Sequence, residues 1–269
     1  MKIIKSINRL NNHVNFKANV GFVPTMGSLH KGHISLIESA KKKCDKVLVS
    51  IYVNPSQFNK KKDFNTYPRN ISRDIKILKK MSVDYLLIPK TNEIYKKNIK
   101  KRFKISNRDK ILCAKYRKGH FEGVLAVINQ FLKIIQAKYM FLGEKDFQQI
   151  FLIKKYITKK FKVKIVNCKT IRYNRYLPYS SRNNLLKKKD LDIAIKISKK
   201  LKLFYLSIKK KFKNKEDIKK IKEQILNYNI DLEYLEIRNK FDLSKKFHRF
   251  NFKIFISYYM KGIRLIDNF

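Results

Sequence analysis

GFVPTMGSLHKGH, residues 21–33, decides how this chain is read. It places three of the chain's seven glycines, a proline and two of its five histidines in one short stretch, among neighbours crowded with lysine. The apolar run VGFVP (20–24) has the character of a buried strand, a tight glycine-containing loop follows, and a helix is predicted to begin near His33. In an open α/β sheet the carboxyl edge of the strands is the ligand crevice, so both histidines fall where the first predicted strand hands over to the first predicted helix. A helix N-terminus offers N–H groups and a positive dipole end to a phosphate. Gly27 and Gly32 would let the backbone approach such a ligand with no Cβ in the way, and imidazole N–H donors would add hydrogen bonds.

Outward from this stretch the chain alternates. Short apolar runs at 46–53 (KVLVSIYV), 83–89 (VDYLLIP), 138–143 (KYMFLG) and 162–166 (KVKIV) are separated by segments with helical spacing at 33–43, 71–81, 123–136 and 147–160. Uniformly apolar strands between amphipathic helices imply a parallel sheet covered on both faces, a doubly wound, Rossmann-like α/β architecture. The pattern changes near residue 170. Residues 190–228 read as two Lys-rich amphipathic helices, followed by strand-like runs at 232–238 and 252–259. The expected organisation is therefore a Rossmann-like domain over 1–170 and a smaller α+β C-terminal domain over 171–269.

Composition sets limits on function. Lys+Arg is 65 against Asp+Glu 20, a formal net charge of +45, which on its own would suggest a polyanionic partner. Only 12 of those basic residues are Arg, however, and the excess Lys comes with abundant Asn, Ile, Phe and Tyr, all encoded by A/T-rich codons. The lysines are also spread along the whole chain instead of gathered in a patch, and runs such as KKK (187–189) and IKKKFKNK (208–215) read as solvated helix faces. Charge is thus assigned to nucleotide bias, and no specific nucleic-acid partner is expected. Cys44, Cys113 and Cys168 lie far apart with no Cys-x-x-Cys, which indicates neither a zinc site nor a disulfide framework. With no signal-peptide core and no membrane-length apolar run, the sequence reads as a soluble protein of a reducing cytoplasm.

A bare His-x-Gly-His occurs by chance. Its weight here comes from other sparse polar clusters near predicted strand ends: VNPSQF (53–58), GEKDFQQ (143–149) and SSRN (180–183). Together with PTMGSLHKGH (24–33), YPR (67–69), RKGHFEGV (117–124) and the terminal RLIDN (264–268), these resemble, in order and spacing, the pantothenate synthetase (pantoate-beta-alanine ligase) family. That family lies within the wider group of nucleotidyl-transferring enzymes that carry a His-x-Gly-His signature.

The resemblance implies a two-step ligation. ATP and (R)-pantoate, with Mg2+ accompanying the ATP, would form pantoyl adenylate and pyrophosphate, and beta-alanine would then take the acyl group to give pantothenate and AMP. It implies that Met26, Gly27, Ser28, Leu29, His30, Lys31, Gly32 and His33 line the ATP site, with His30 and His33 on the phosphates and His33 the family's assigned proton donor. Gly143, Glu144, Lys145 and Asp146 would border the nucleotide, with Lys145 on a phosphate. Ser180, Ser181 and Arg182 would clamp the phosphates from the other side, and Ile171 and Tyr179 would touch the nucleotide. Gln57 and Gln149 would read pantoate, Gln57 also facing beta-alanine, because an amide donates and accepts without adding negative charge beside a nucleophile. Asp74 and Asp146 are the carboxylates to inspect for magnesium. A homodimer is the family expectation.

Two departures from the family pattern bear on the site. Arg175-Tyr176 stands where an Asp-Gly turn is usual ahead of SSRN, and Lys118 replaces the usual proline in RKGHF. Two other classes remain open at this level. A tRNA-charging synthetase also has the His-x-Gly-His edge with a distal Ser/Arg clamp, and a basic binding module would suit the charge. AMP release that depends on beta-alanine, with no RNA added, separates all three.

Overall fold

The computed structural model describes residues 1–95, 103–211 and 215–269 and divides into two compact units, Met1–Thr170 and Ile171–Phe269. The first unit is built on six strands: β1 (Lys2–Ile4), β2 (Val20–Thr25), β3 (Lys46–Ile51), β4 (Tyr85–Leu87), β5 (Tyr139–Gly143) and β6 (Lys164–Cys168). They pair in the order β1-β4-β3-β2-β5-β6, every pair parallel. Between them run four long helices: α1 (Lys31–Lys43), α2 (Ile71–Lys80), α3 (His120–Ile134) and α4 (Phe147–Tyr156).

Side chains alternate faces along a strand, so a central strand covered on both sides must be apolar at consecutive positions. In β2, Phe22 and Val23 are both fully buried. Val23 joins Leu36, Ile37 and Ala40 of α1 and Phe141 of β5 in one core. On the opposite face Phe22 meets the ring of Phe131 from α3 edge-on at 5.6 Å, and Phe131 also meets Tyr52 at 6.2 Å. The strand order reverses at β2: β3 and β4 build to one side, then the chain returns to lay β5 and β6 on the other. That reversal opens the crevice between the carboxyl ends of β2 and β5.

The second unit begins with a hairpin, β7 (Arg172–Tyr173) and β8 (Leu177–Pro178). Helices α5 (Lys188–Lys210) and α6 (Lys215–Leu226) follow, then an antiparallel sheet of β9 (Asp231–Asn239), β10 (Phe252–Met260) and β11 (Ile263–Asn268) in the order β11-β10-β9. Ala194, Ile197 and Leu201 recur on one face of α5 and pack with Ile254, Ile256 and Tyr258 of β10.

Both expected architectures are present, with differences at their margins. KII at the N-terminus forms an edge strand too short to show periodicity, so the strand that carries VGFVPT is the second. RLIDN, noted only as a terminal motif, lies within β11. The helix expected over 147–160 ends at Tyr156, and Thr158–Lys160 form a single 3-10 turn. The IKKKFKNK run extends through 212–214, outside the described residues. Among the described residues no helix is long and apolar enough to cross a membrane.

Candidate active site

At the end of β2 the Thr25 hydroxyl holds the start of the turn: it donates to the Ser50 carbonyl at 2.8 Å and accepts the Gly27 N–H at 3.2 Å. The chain then turns through two left-handed residues, Gly27 (φ 77°) and Ser28 (φ 51°). Glycine is required at 27 for conformation and for space, since a Cβ there would stand 3.0 Å from Asp74 Oδ2 and 3.1 Å from Ile51 Cγ2. Asp74, buried at 1% exposure in α2, accepts the N–H groups of Ser28 and Leu29, one on each carboxylate oxygen, both at 2.8 Å. Leu29 itself points into the core beside Val23 and Leu36.

His30 is the N-cap of α1, and His33 sits one turn on. His30 Nδ1 accepts the Gly32 N–H at 3.1 Å, His33 Nδ1 accepts the His30 N–H at 3.4 Å, and the rings stack with centroids 4.0 Å apart. A ring nitrogen that accepts carries no proton, so each neutral imidazole bears its hydrogen on Nε2. Burial pushes His30 down to about 2, with His33 and Lys145 adding repulsion. Burial and then Lys145 push His33 down to about 4, with Asp146 acting the other way. Free backbone N–H groups were expected to meet a phosphate here. Instead, those of Gly27, Ser28, Leu29, His30 and Gly32 are all taken up internally. Capping thus consumes backbone donors of the turn, and each neutral imidazole keeps its one N–H, on Nε2, at the positive end of the helix.

β5 lies beside β2 across the strand-order reversal, and its carboxyl end runs into the turn Glu144–Asp146. Lys145 Nζ lies 3.5 Å from Asp146 Oδ1; the lysine acts on both histidines and the aspartate on His33. Residues 26–33 and 143–146 are thus brought together. The adjacent glutamines diverge: Gln148 is buried and donates Nε2 to the Ile111 carbonyl at 2.7 Å, whereas the side chain of the half-buried Gln149 makes no hydrogen bond to the described residues.

Gln57 closes the single turn Pro55–Gln57 after β3 and is buried, yet its side-chain amide also finds no partner among the described residues. Its amide atoms are not among the buried side-chain atoms that lack a partner, so the amide faces accessible space, where a polar ligand could meet it. The turn itself is tightly held. Asn54, fully buried, accepts from Ser56 Oγ at 2.9 Å and Tyr95 Oη at 3.1 Å and donates to the Gly123 carbonyl at 3.1 Å. His120 Nδ1 donates to the Gln57 carbonyl at 2.7 Å, which leaves Nε2 to accept from Arg117 at 2.9 Å. Sequence reasoning gave Asn54, Arg117 and His120 no role, although VNPSQF and RKGHFEGV were the signal that could have found them.

Ile171, Tyr179, Ser180, Ser181 and Arg182 belong to the second unit. The Tyr179 N–H donates to the Ile171 carbonyl at 3.1 Å across the β7–β8 hairpin, and Ser180 caps the turn Ser181–Leu185 by accepting the Arg182 N–H at 3.3 Å. Arg175-Tyr176 does not prevent the hairpin from closing. Asn174 (φ 46°) and Arg175 (φ 64°) both adopt left-handed backbone, and the Tyr176 N–H reaches the Tyr173 carbonyl at 3.0 Å, giving a type I′ turn. Arg172 anchors the hairpin with a bidentate pair to the buried Asp267 of β11, both bonds 2.9 Å.

Asp74 does not suit a magnesium site, since it is almost wholly buried and each of its oxygens already accepts a backbone N–H. The described residues contain no cluster of three His, Cys, Asp or Glu able to hold a metal ion.

The family model described as pantoate-beta-alanine ligase matches residues 2–269. The chain belongs to the pantoate-beta-alanine ligase family. It is 39% identical over 271 residues to the pantothenate synthetase of Francisella tularensis subsp. novicida (strain U112), covering 99% of this chain and 95% of that one. It is also similar to the solved Francisella tularensis pantoate-beta-alanine ligase in complex with beta-gamma ATP and beta-alanine, with a TM-score of 0.86 and 38% identity over 100% of this chain and 97% of the other. For the solved pantothenate synthetase from Thermus thermophilus the TM-score is 0.91 at 28% identity, covering 100% of this chain and 99% of the other. Membership of this ligase family decides against the tRNA-charging and basic-module readings.

Proposed function

We propose that this ligase joins (R)-pantoate to beta-alanine at the expense of ATP, through pantoyl adenylate. A pantoate carboxylate oxygen attacks the α-phosphorus, pyrophosphate leaves, and the beta-alanine amine then displaces AMP from the acyl carbon. The observation that carries this reading is the stacked pair of neutral histidines beside Lys145 at the reversal between β2 and β5.

In this scheme the Nε2–H groups of His30 and His33 and the Lys145 ammonium stabilise charge that builds on the phosphates, the main task in phosphoryl transfer. A neutral His33 already lowered to about 4 suits hydrogen-bond donation better than proton transfer. Met26, Lys31, Gly143, Glu144 and Asp146 complete the nucleotide's border. Gln57 and Gln149, whose amides have no partner among the described residues, hold pantoate, and Gln57 also meets beta-alanine. Mg2+ enters with the triphosphate as part of the substrate.

Residues 171–269 act in this scheme as a lid. Lid closure brings Ser180, Ser181 and Arg182 to the phosphates and Ile171 and Tyr179 to the nucleotide, and it shields the mixed anhydride from water. Pantoate-dependent exchange of pyrophosphate into ATP, followed by beta-alanine-dependent release of AMP, tests the assignment. Absence of both would sink it. Unchanged protease cleavage near residue 170 with the site filled would sink the lid while leaving the ligase.

A further inference from the structure

Asp74 lies in an amphipathic helix well removed in sequence from the histidine loop, yet it is the most buried carboxylate of the first unit. A carboxylate is not placed in a core without compensation, and here the compensation is specific: one oxygen takes the Ser28 N–H and the other the Leu29 N–H, each at 2.8 Å. Its position in the first turn of α2 adds a favourable helix-dipole contribution. The two donors follow the left-handed Gly27 directly and precede His30, so the carboxylate grips the turn at the point where β2 changes direction into α1. Ser28 at φ 51° is strained for a residue with a side chain, and such backbone persists only where its surroundings impose it.

We propose that Asp74 is a positioning residue for adenylation: by holding the Ser28 and Leu29 amides it sets the direction in which the Nε2–H groups of His30 and His33 leave the end of β2. This rests on the reading that those groups meet the phosphates. Asparagine is the sharp probe, since its one oxygen can satisfy only one amide and its NH2 would face the other donor. The turn would have to shift and carry the rings with it.

The experiment compares full-length wild type with Asp74→Asn under pantoate-dependent pyrophosphate exchange, titrating ATP, after thermal melts have established the folded fraction. The expected result is a fall in kcat/KM for ATP on the order of 10²-fold per folded molecule, the scale for misplacing a reacting group by about 1 Å, with KM for beta-alanine within about twofold. A purely structural role would lower the folded fraction and leave both parameters of the folded molecules intact. If Asp74→Asn fails to fold, Gly27→Ala applies strain to the same junction from the loop side, its methyl 3.0 Å from Asp74 Oδ2, and the same ATP-specific loss is expected. ATP kinetics within about threefold of wild type in the folded variant would overturn the proposal. So would a defect that excess Mg2+ repairs, which would make Asp74 a metal ligand. Absence of exchange in the wild type itself would instead overturn the functional reading, and this role with it, before any variant is compared.

Discussion

A Cβ placed on Gly123 would stand 2.2 Å from the carbonyl oxygen of Ser56, so α3 touches the turn bearing Gln57 backbone to backbone. No side chain fits between them. Gly123→Ala is expected to destabilise the fold by about 1–3 kcal/mol, as for overpacking of a close contact, and to push Gln57 out of register. Steady-state kinetics on the folded fraction should show larger rises in KM for pantoate and beta-alanine than for ATP; equal rises would separate Gln57 from both substrates.

Gln148 and Gln149 are adjacent and should respond in opposite ways. Gln148→Ala deprives the Ile111 carbonyl of its 2.7 Å donor and should cost about 1–3 kcal/mol with pantoate KM little changed. Gln149→Ala should leave the melting temperature near that of wild type and raise pantoate KM. A melt and a pantoate titration on each variant decide the matter, and reversed results would exchange their roles.

His33→Ala should lower turnover by about 10²-fold or more, the loss seen when one preorganised donor is removed. A second consequence appears in stability. Histidines depressed to about 2 and about 4 contribute stability that is present above their unfolded value of 6.5 and is lost as pH falls through that window, because the unfolded chain takes up protons that the folded chain refuses. Denaturant unfolding between pH 6.5 and 4 should therefore weaken by at most about 1.4 kcal/mol per pH unit for His33, a contribution that His33→Ala removes. An identical acid slope in the variant would contradict the neutral, capped ring.

Arg175, left-handed at φ 64°, has no glycine's freedom to adopt that backbone. Arg175→Gly should relieve about 1 kcal/mol of strain and raise the melting temperature by roughly 2 °C. The gain should survive in high salt, which would screen any charge effect. The carbonyl that Lys202 Nζ reaches at 3.5 Å is kept by glycine. A lower melting temperature would therefore mean that the Arg175 side chain itself, or the extra freedom of glycine in the unfolded chain, matters more than the strain.

The parallel sheet was legible because β2, β3 and β5 are buried on both faces and so must be apolar without interruption, a pattern that side chains alone display. β1 was not, because three residues carry no period. The histidine pair and Lys145 could be placed near each other from their strand ends, since strand direction and order fix where each loop emerges. The state of the histidines could not. That depends on Nδ1 atoms turned back onto their own helix, a rotamer choice with no trace in composition or spacing. The role of Asp74 was hidden for a related reason: an Asp in an amphipathic helix looks the same whether it faces a metal or two amides, and its partners are 46 and 45 residues away.

The reversal of strand order at β2 also governs how the chain is made. β3 leaves the ribosome soon after β2 and can cover one of its edges, but the other edge pairs with β5, through Gly21↔Tyr139 and Phe22↔Met140, which is synthesised only after β4, α2 and α3. Until then a nascent chain exposes a flat apolar strand with unpaired N–H and C=O groups, a template for pairing with another chain. Production of this protein is consequently most vulnerable to aggregation before β5 emerges, and slowing translation through 25–138 should lower soluble yield more than slowing it after 168.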